Sequence, residues 1–134
     1  MHVVDLETHP VTPTEYGRWQ PLNEPLGLTG FGLSAIVCDP GEDFDITHDE
    51  SESGQQEAYV VVVGRAEFRI GDKTAEAGPG TVVSAPDAAA VRSYRALEPG
   101  TRIVCIGAPP ADGQDYGDWI REAAEGEQVE GHTG

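Results

Sequence analysis

The chain has 134 residues and a formal net charge of −16. This length fits one domain with a single core, and the charge excludes nucleic acid and membranes as partners, because neither releases counterions to an acidic surface. No apolar run approaches the ~20 residues of a membrane span. Glycine and proline are frequent, at 17 and 10 residues, and they separate short apolar runs, which favours an all-β domain.

The N-terminal segment, residues 1–28, is expected to be an arm. It contains a short strand candidate at Val3–Leu6 and two large aromatic residues, Tyr16 and Trp19. Together these side chains have more apolar surface than a free arm would expose to solvent. The arm is therefore expected to pack on its own domain or on a second copy, and we expect a homodimer. The segment lacks the charged and apolar regions of a signal peptide, which indicates a cytoplasmic protein.

Three strands are predicted in the first half of the domain. They are Thr29–Cys38, a short candidate at Phe44–Thr47 inside an acidic loop, and Glu57–Val63. The last contains four consecutive valines, a composition that indicates burial on both faces. By alternation, four of its side chains point inward: Glu57, Tyr59, Val61 and Val63.

Turn residues separate the strands of the second half. Ala66–Ile70 alternates with Phe68 inward, and a hairpin turn follows at residues 71–73. A short strand then leads to a second turn at residues 78–80, and three more strands are predicted after that turn: Thr81–Ala85, Val91–Arg95 and Thr101–Ile106. Short strands at this spacing indicate a β-sandwich or barrel.

The composition changes after the last predicted strand. Four apolar residues recur at helical spacing and predict one amphipathic helix at Gln114–Ala124 that packs on the barrel. An acidic tail follows, so residues 109–134 form a C-terminal helix and tail. Cys38 and Cys105 lie in apolar strand patterns and are expected to be reduced core thiols.

Two segments resemble the two sequence motifs of the cupin family. The first, residues 41–64, contains Glu57 and Gly64 separated by six residues, and the second is GPGTVVSAP at residues 78–86. The resemblance covers about residues 29–108, and the chain is similar to small stand-alone bacterial cupins of mostly unassigned function. It implies an all-β double-stranded β-helix, or jelly-roll barrel, with a pocket inside one end and the short helix at its C-terminus.

The cupin resemblance also implies a divalent metal held by two His and a Glu of the first motif and a His of the second. His48 stands at the first His position and Glu57 matches the Glu, but Glu50 replaces the second His. Counting from Pro79 places Val91 at the position of the second-motif His, and Val91 cannot bind a metal. The candidate metal ligands are therefore His48, Glu50 and Glu57, with either no cofactor or a weakly bound divalent metal.

Arg92 is the neighbouring alternative to Val91. A register slip of one residue would turn Arg92 inward, where it would face Glu57 or bind an anionic substrate. The simpler expectation is that Arg92 points outward and lies on the surface. The candidate substrate-binding residues are Tyr59, Arg92 and Phe68.

Three functions are compatible with these residues. The favoured one is binding of a small organic molecule in the barrel pocket, either alone or with cofactor-independent isomerase or cyclase chemistry in which Glu57 carries a proton and His48 assists. The second is a metal-dependent enzyme with His48, Glu50 and Glu57 as ligands. The third is a non-catalytic interaction protein on a barrel scaffold. Because an interior carboxylate is costly to desolvate, Glu57→Leu is expected to be at least as stable as the native chain.

Overall fold

Nine β-strands dominate the structure, a computed structural model that describes residues 1–14, 17–41, 48–110, 121 and 123–125. The elements in chain order are β1 (Thr12–Thr14), β2 (Gly17–Pro21), α1 (Asn23–Leu26), β3 (Gly32–Cys38), β4 (Gln56–Val63), β5 (Ala66–Ile70), β6 (Lys73–Ala77), β7 (Val82–Ala85), β8 (Arg92–Ala96) and β9 (Thr101–Ala108). The all-β prediction is confirmed.

Two antiparallel sheets enclose the core. The larger has the order β1-β2-β3-β9-β4-β7, and the smaller has the order β6-β5-β8. Their inner faces together form one apolar cluster, to which the larger sheet contributes Tyr59 and Ile103 and the smaller contributes Phe68 and Tyr94. In the described part of the chain the sheets do not close into a continuous barrel. One backbone bridge, between His48 and Arg92, extends the smaller sheet beyond β8.

The N-terminal segment differs from its prediction. Val3–Leu6 is not a strand, and the first strand is Thr12–Thr14. The carbonyls of Leu6 and His9 accept hydrogen bonds from the side-chain amide of Gln20, at 2.9 and 3.0 Å. A side-chain amide therefore holds this backbone in place of a strand partner, and β1 and β2 extend the larger sheet beyond β3.

The prediction that the valine run of β4 is buried on both faces was wrong. Val61 has no exposed surface, whereas Val62 is 38% and Val63 41% exposed. The register against β9 shifts between Val61 and Val63, and such a bulge breaks the alternation of faces. Alternation holds from Glu57 to Val61, which is the part that positions the site.

The turn between β4 and β5 depends on Gly64. Its φ is +78°, a region that favours glycine, and a Cβ there would lie 2.8 Å from Cα of Thr101. The hydroxyl of Thr101 donates to the carbonyl of Glu98 at 2.7 Å and accepts from the backbone N–H of Arg65 at 3.2 Å. The motif glycine therefore lets β4 turn closely against the start of β9.

The two cysteines are thiols and form no disulfide with each other. They lie on the neighbouring strands β3 and β9, but Cys38 pairs with Thr101 and Cys105 pairs with Ser34. This offset of four residues separates them by about 13 Å along the strands, too far for a disulfide bond.

Several predicted features fall outside the described residues. These are Tyr16, the strand candidate Phe44–Thr47 and most of the helix predicted at Gln114–Ala124. Arg121 and residues 123–125 are helical. Among the described residues, no helix combines the length and apolar character needed to span a membrane.

Candidate functional site

Glu57 lies on the inner face of β4 in a row of small residues. Its sheet neighbours are Ala85 on β7 and Gly107 on β9, and Gly107 in turn pairs with Gly32 on β3. A Cβ at Gly107 would lie 3.2 Å from Cγ of Glu57. The missing side chain at Gly107 therefore provides the space that the Glu57 carboxylate occupies.

Three donors hold the Glu57 carboxylate. The hydroxyl of Tyr59 donates to Oε1 at 3.0 Å, and Nη1 of Arg92 donates to the same oxygen at 3.1 Å. The thiol of Cys105 donates to Oε2 at 3.2 Å. Because the Glu57 side chain is only 9% exposed, these bonds replace nearly all of its hydration.

Arg92 lies inside the fold, with no exposed surface, whereas Val91 is 47% exposed. Placing Val91 inward was wrong, and so was the expectation of a surface Arg92. The cause is the register of β8, in which Arg92 pairs with the inward-facing Ile70 of β5. Of the two interior arrangements considered, the structure has the one in which Arg92 faces Glu57.

His48 and Glu50 complete the cluster from the loop that precedes β4. Nε2 of His48 lies 3.0 Å from Oε1 of Glu50 and 3.5 Å from Oε1 of Glu57. The other oxygen of Glu50 accepts from the hydroxyl of Ser53 at 2.8 Å. The side chains of His48 and Glu50 are 32% and 22% exposed, so they form the solvent-facing side of the cluster and Glu57 its buried side.

Comparison with known proteins assigns the fold. No family model matches the chain, and no curated protein matches it. Among solved structures, KdgF from Halomonas sp. is 18% identical with a TM-score of 0.65 over 84% of this chain and 96% of that one. A predicted oxalate decarboxylase from Thermotoga maritima is 14% identical with a TM-score of 0.67 over 81% of this chain and 99% of that one. This chain has the cupin fold.

A putative sugar phosphate isomerase from Acidithiobacillus ferrooxidans is also similar. It is 24% identical with a TM-score of 0.57, over 67% of this chain and 57% of that one. This chain therefore spans little more than half of that protein's length. At these identities the comparisons show a shared cupin fold.

The cupin resemblance implies a metal, and the donor atoms present can be tested against one. One ligand atom from each of His48, Glu50 and Glu57 lies within 4.8 Å of the others. An imidazole and two carboxylates are donor types that suit several divalent cations. However, Oε1 of Glu57, the oxygen nearest His48, already accepts from Arg92 and Tyr59. A metal there would compete with a fixed guanidinium.

An aromatic cluster lies beneath Glu57. The rings of Tyr59, Phe68 and Tyr94 have centroids 5.5 to 5.6 Å apart. Burial raises the pKa of the Tyr59 phenol far above its ordinary value, and the nearby Glu57 carboxylate raises it further. Burial and the Glu57 carboxylate likewise raise the pKa of the Cys105 thiol. Both groups therefore stay protonated near neutral pH and act as donors to Glu57.

The structure brings most of the sequence-predicted site residues together. His48, Glu50, Arg92 and Tyr59 all surround Glu57. Phe68 is 1% exposed and belongs to the core beneath them. Sequence reasoning missed Cys105 and Gly107, because their relation to Glu57 depends on which strand lies beside β4. The inward alternation of Cys105 in its strand was the one available signal.

Proposed function

We propose that this cupin-fold protein binds a small organic molecule beside Glu57 and acts on it as a cofactor-independent isomerase or cyclase by acid–base chemistry. The observation that supports this most is the Glu57 carboxylate, which is nearly buried, held by three donors and adjacent to the partly exposed His48. A carboxylate with this surrounding is positioned for proton transfer and protected from solvent.

The two oxygens of Glu57 have different surroundings. Oε1 accepts from Tyr59 and Arg92, while Oε2 accepts a hydrogen bond from the thiol of Cys105. Oε2 therefore has the lone pair available to remove a proton from a substrate carbon or hydroxyl and to return it elsewhere on the molecule. In an isomerisation, His48, at the solvent side, donates a proton to the substrate oxygen that gains negative charge and takes one back from the hydroxyl that becomes the new carbonyl, so no net proton is added.

A ligand screen tests this proposal. Sugar phosphates and small keto acids are suitable first probes, since two similar structures are named as sugar phosphate isomerases. We expect a ligand to raise the melting temperature of the native protein but not that of Glu57→Gln, whose fold is checked by circular dichroism. A ligand that stabilises both proteins equally would place its binding site elsewhere.

A metal-dependent enzyme is the second candidate, and the converging His48, Glu50 and Glu57 donors support it. Metal analysis of protein purified without a His tag separates the two candidates. Near-stoichiometric metal that survives dialysis against a chelator would favour the metal-dependent enzyme over the acid–base one.

We also propose a cytoplasmic homodimer. Its support is the presence of two thiols and of exposed apolar side chains, among which Val3 is 80%, Trp19 42% and Val82 62% exposed. The same side chains support the remaining alternative, an interaction protein on a cupin scaffold. Light scattering at micromolar concentration is expected to give the mass of two chains, and a monomer would rule the dimer out.

A further inference from the structure

Among the residues that the structure describes, Arg92 is the largest side chain with no exposed surface. Beyond Glu57, its guanidinium is held by two backbone carbonyls: Nη2 donates to Asp87 at 2.7 Å and to Ala90 at 3.1 Å, and Nε donates to Ala90 at 3.2 Å. The loop that presents these carbonyls is itself closed by a bond from the N–H of Ala90 to the carbonyl of Asp87, at 3.0 Å. Moving the guanidinium away would break all of these hydrogen bonds together with the one to Glu57.

The backbone of Arg92 is held as firmly as its side chain. Its N–H donates to the carbonyl of His48 at 2.8 Å, and its carbonyl accepts from the N–H of His48 at 3.1 Å. These two bonds fix the backbones of Arg92 and His48 side by side, and both side chains reach Glu57 from this bridge.

The position of Arg92 opposes a metal at Glu57. A divalent cation bound to Oε1 at about 2 Å would lie within about 5 Å of Nη1, since Nη1 is 3.1 Å from that oxygen. Like charges at this distance repel strongly where water is excluded. The same oxygen also accepts from Tyr59, so both of its lone pairs are already used.

We infer that Arg92 is a built-in cation that takes the place of a divalent metal at Glu57 and excludes metal from the cluster of His48, Glu50 and Glu57. The inward residue of β8 that faces Glu57 is Arg92, one residue after Val91, the position that counting from Pro79 assigned to the metal-binding His. The carboxylate has a permanent positive partner supplied by the chain itself.

Calorimetric titration of untagged protein with Zn²⁺ and with Mn²⁺ tests the inference. The variant Arg92→Lys keeps the positive charge. We expect it to bind each ion as weakly as the native protein does. Arg92→Gln removes the charge and is expected to bind at least tenfold more tightly, a size typical of changes next to a metal site. Arg92→His, which adds an imidazole, is expected to bind more tightly still.

Two results would overturn the inference. One is tight binding of either ion to the native protein, and the other is equal affinity of Arg92→Gln and Arg92→Lys. Adding Glu57→Gln to Arg92→Gln serves as the control, because it is expected to abolish the gained binding if Glu57 is the ligand that Arg92 protects. A gain that persists in the double variant would place the metal elsewhere and also contradict the inference.

A measurement on the native protein covers the case in which the Arg92 variants do not fold. Equimolar Mn²⁺, which is paramagnetic, is expected to leave the side-chain NMR signals of His48 and Arg92 unbroadened, and selective broadening of both would overturn the inference. The inference concerns the same side chains as the proposed function, but its tests measure metal binding alone. A protein that excludes metal but binds no small molecule would support the inference about Arg92 and contradict the proposed function.

Discussion

Arg92 donates to a carboxylate oxygen of Glu57 over 3.1 Å, from a position 35 residues later in the sequence. The arginine side chain is fully buried and the glutamate side chain is 9% exposed. Removing one partner of a buried ion pair leaves an uncompensated charge, which costs far more than the pair itself contributes. Loss of one partner of this pair is therefore expected to lower the stability of the fold as well as to change the chemistry of the site.

Glu57→Leu is expected to destabilise the protein by about 3–5 kcal/mol, because it leaves the Arg92 guanidinium buried without a counter-charge. The opposite expectation from sequence, that this variant is at least as stable as the native chain, counted only the desolvation cost of the carboxylate. Urea unfolding monitored by circular dichroism measures the change.

The double variant Glu57→Leu with Arg92→Met is the matched control. It removes both charges, and replacement of a whole buried pair by apolar side chains is often neutral. We expect it to recover most of the stability lost in Glu57→Leu. Native-like stability of Glu57→Leu by itself would show that the ion pair does not operate as described.

Tyr59→Phe and Tyr94→Phe form a second matched pair. Both rings belong to the same buried aromatic cluster, but of the two hydroxyls only that of Tyr59 donates to Glu57. Loss of a bond to a charged group costs about 1.5–3 kcal/mol, so Tyr59→Phe should unfold at lower urea than Tyr94→Phe. Equal midpoints would assign no role to the hydroxyl of Tyr59.

Gly64→Ala is expected to cost about 3 kcal/mol or more. The positive φ accounts for about 1–2 kcal/mol, and overlap of the new Cβ with Thr101 adds a packing term. Gly80→Ala separates the two terms, since Gly80 also has a positive φ of +85° but nothing lies within 4 Å of its Cβ position. Thermal unfolding is the measurement, and similar losses in both variants would exclude the Thr101 contact as the cause.

Alkaline pH is expected to destabilise the fold. Burial raises the pKa of Cys105 from an ordinary value of 9.0, and the pKa values of Tyr59 and Tyr94 from 10.0. The unfolded chain therefore ionises at a pH where the folded chain retains these protons, and stability falls as pH rises above about 9. Unfolding free energies measured across this range test the effect.

Cys105→Ala provides the control for the alkaline effect. The variant removes the group with the lowest ordinary pKa, so we expect its stability to decline less steeply between pH 9.0 and 10.0 than that of the native protein. An identical pH dependence in the two proteins would show that the Cys105 thiol does not contribute.

Features that depend on neighbouring residues in the chain were predictable. The inward alternation of Glu57 and Tyr59 in β4, and of Phe68 in β5, follows from the two-residue period of a strand. The hairpin between β5 and β6 follows from turn residues at 71 and 72, and the pairing of Ile70 with Lys73 confirms it. These predictions need only local geometry, and the residue pattern supplies that geometry.

Which groups meet at Glu57 depends on how distant strands pair and pack. Counting along a loop placed Val91 inward, whereas pairing of β8 with β5 turns Arg92 inward instead, because a shift of one residue exchanges the two faces of a strand. The placement of Cys105 and Gly107 beside Glu57 likewise depends on β9 pairing with β4. Contacts between strands far apart in the chain are set by packing and register, which no local pattern in the sequence encodes.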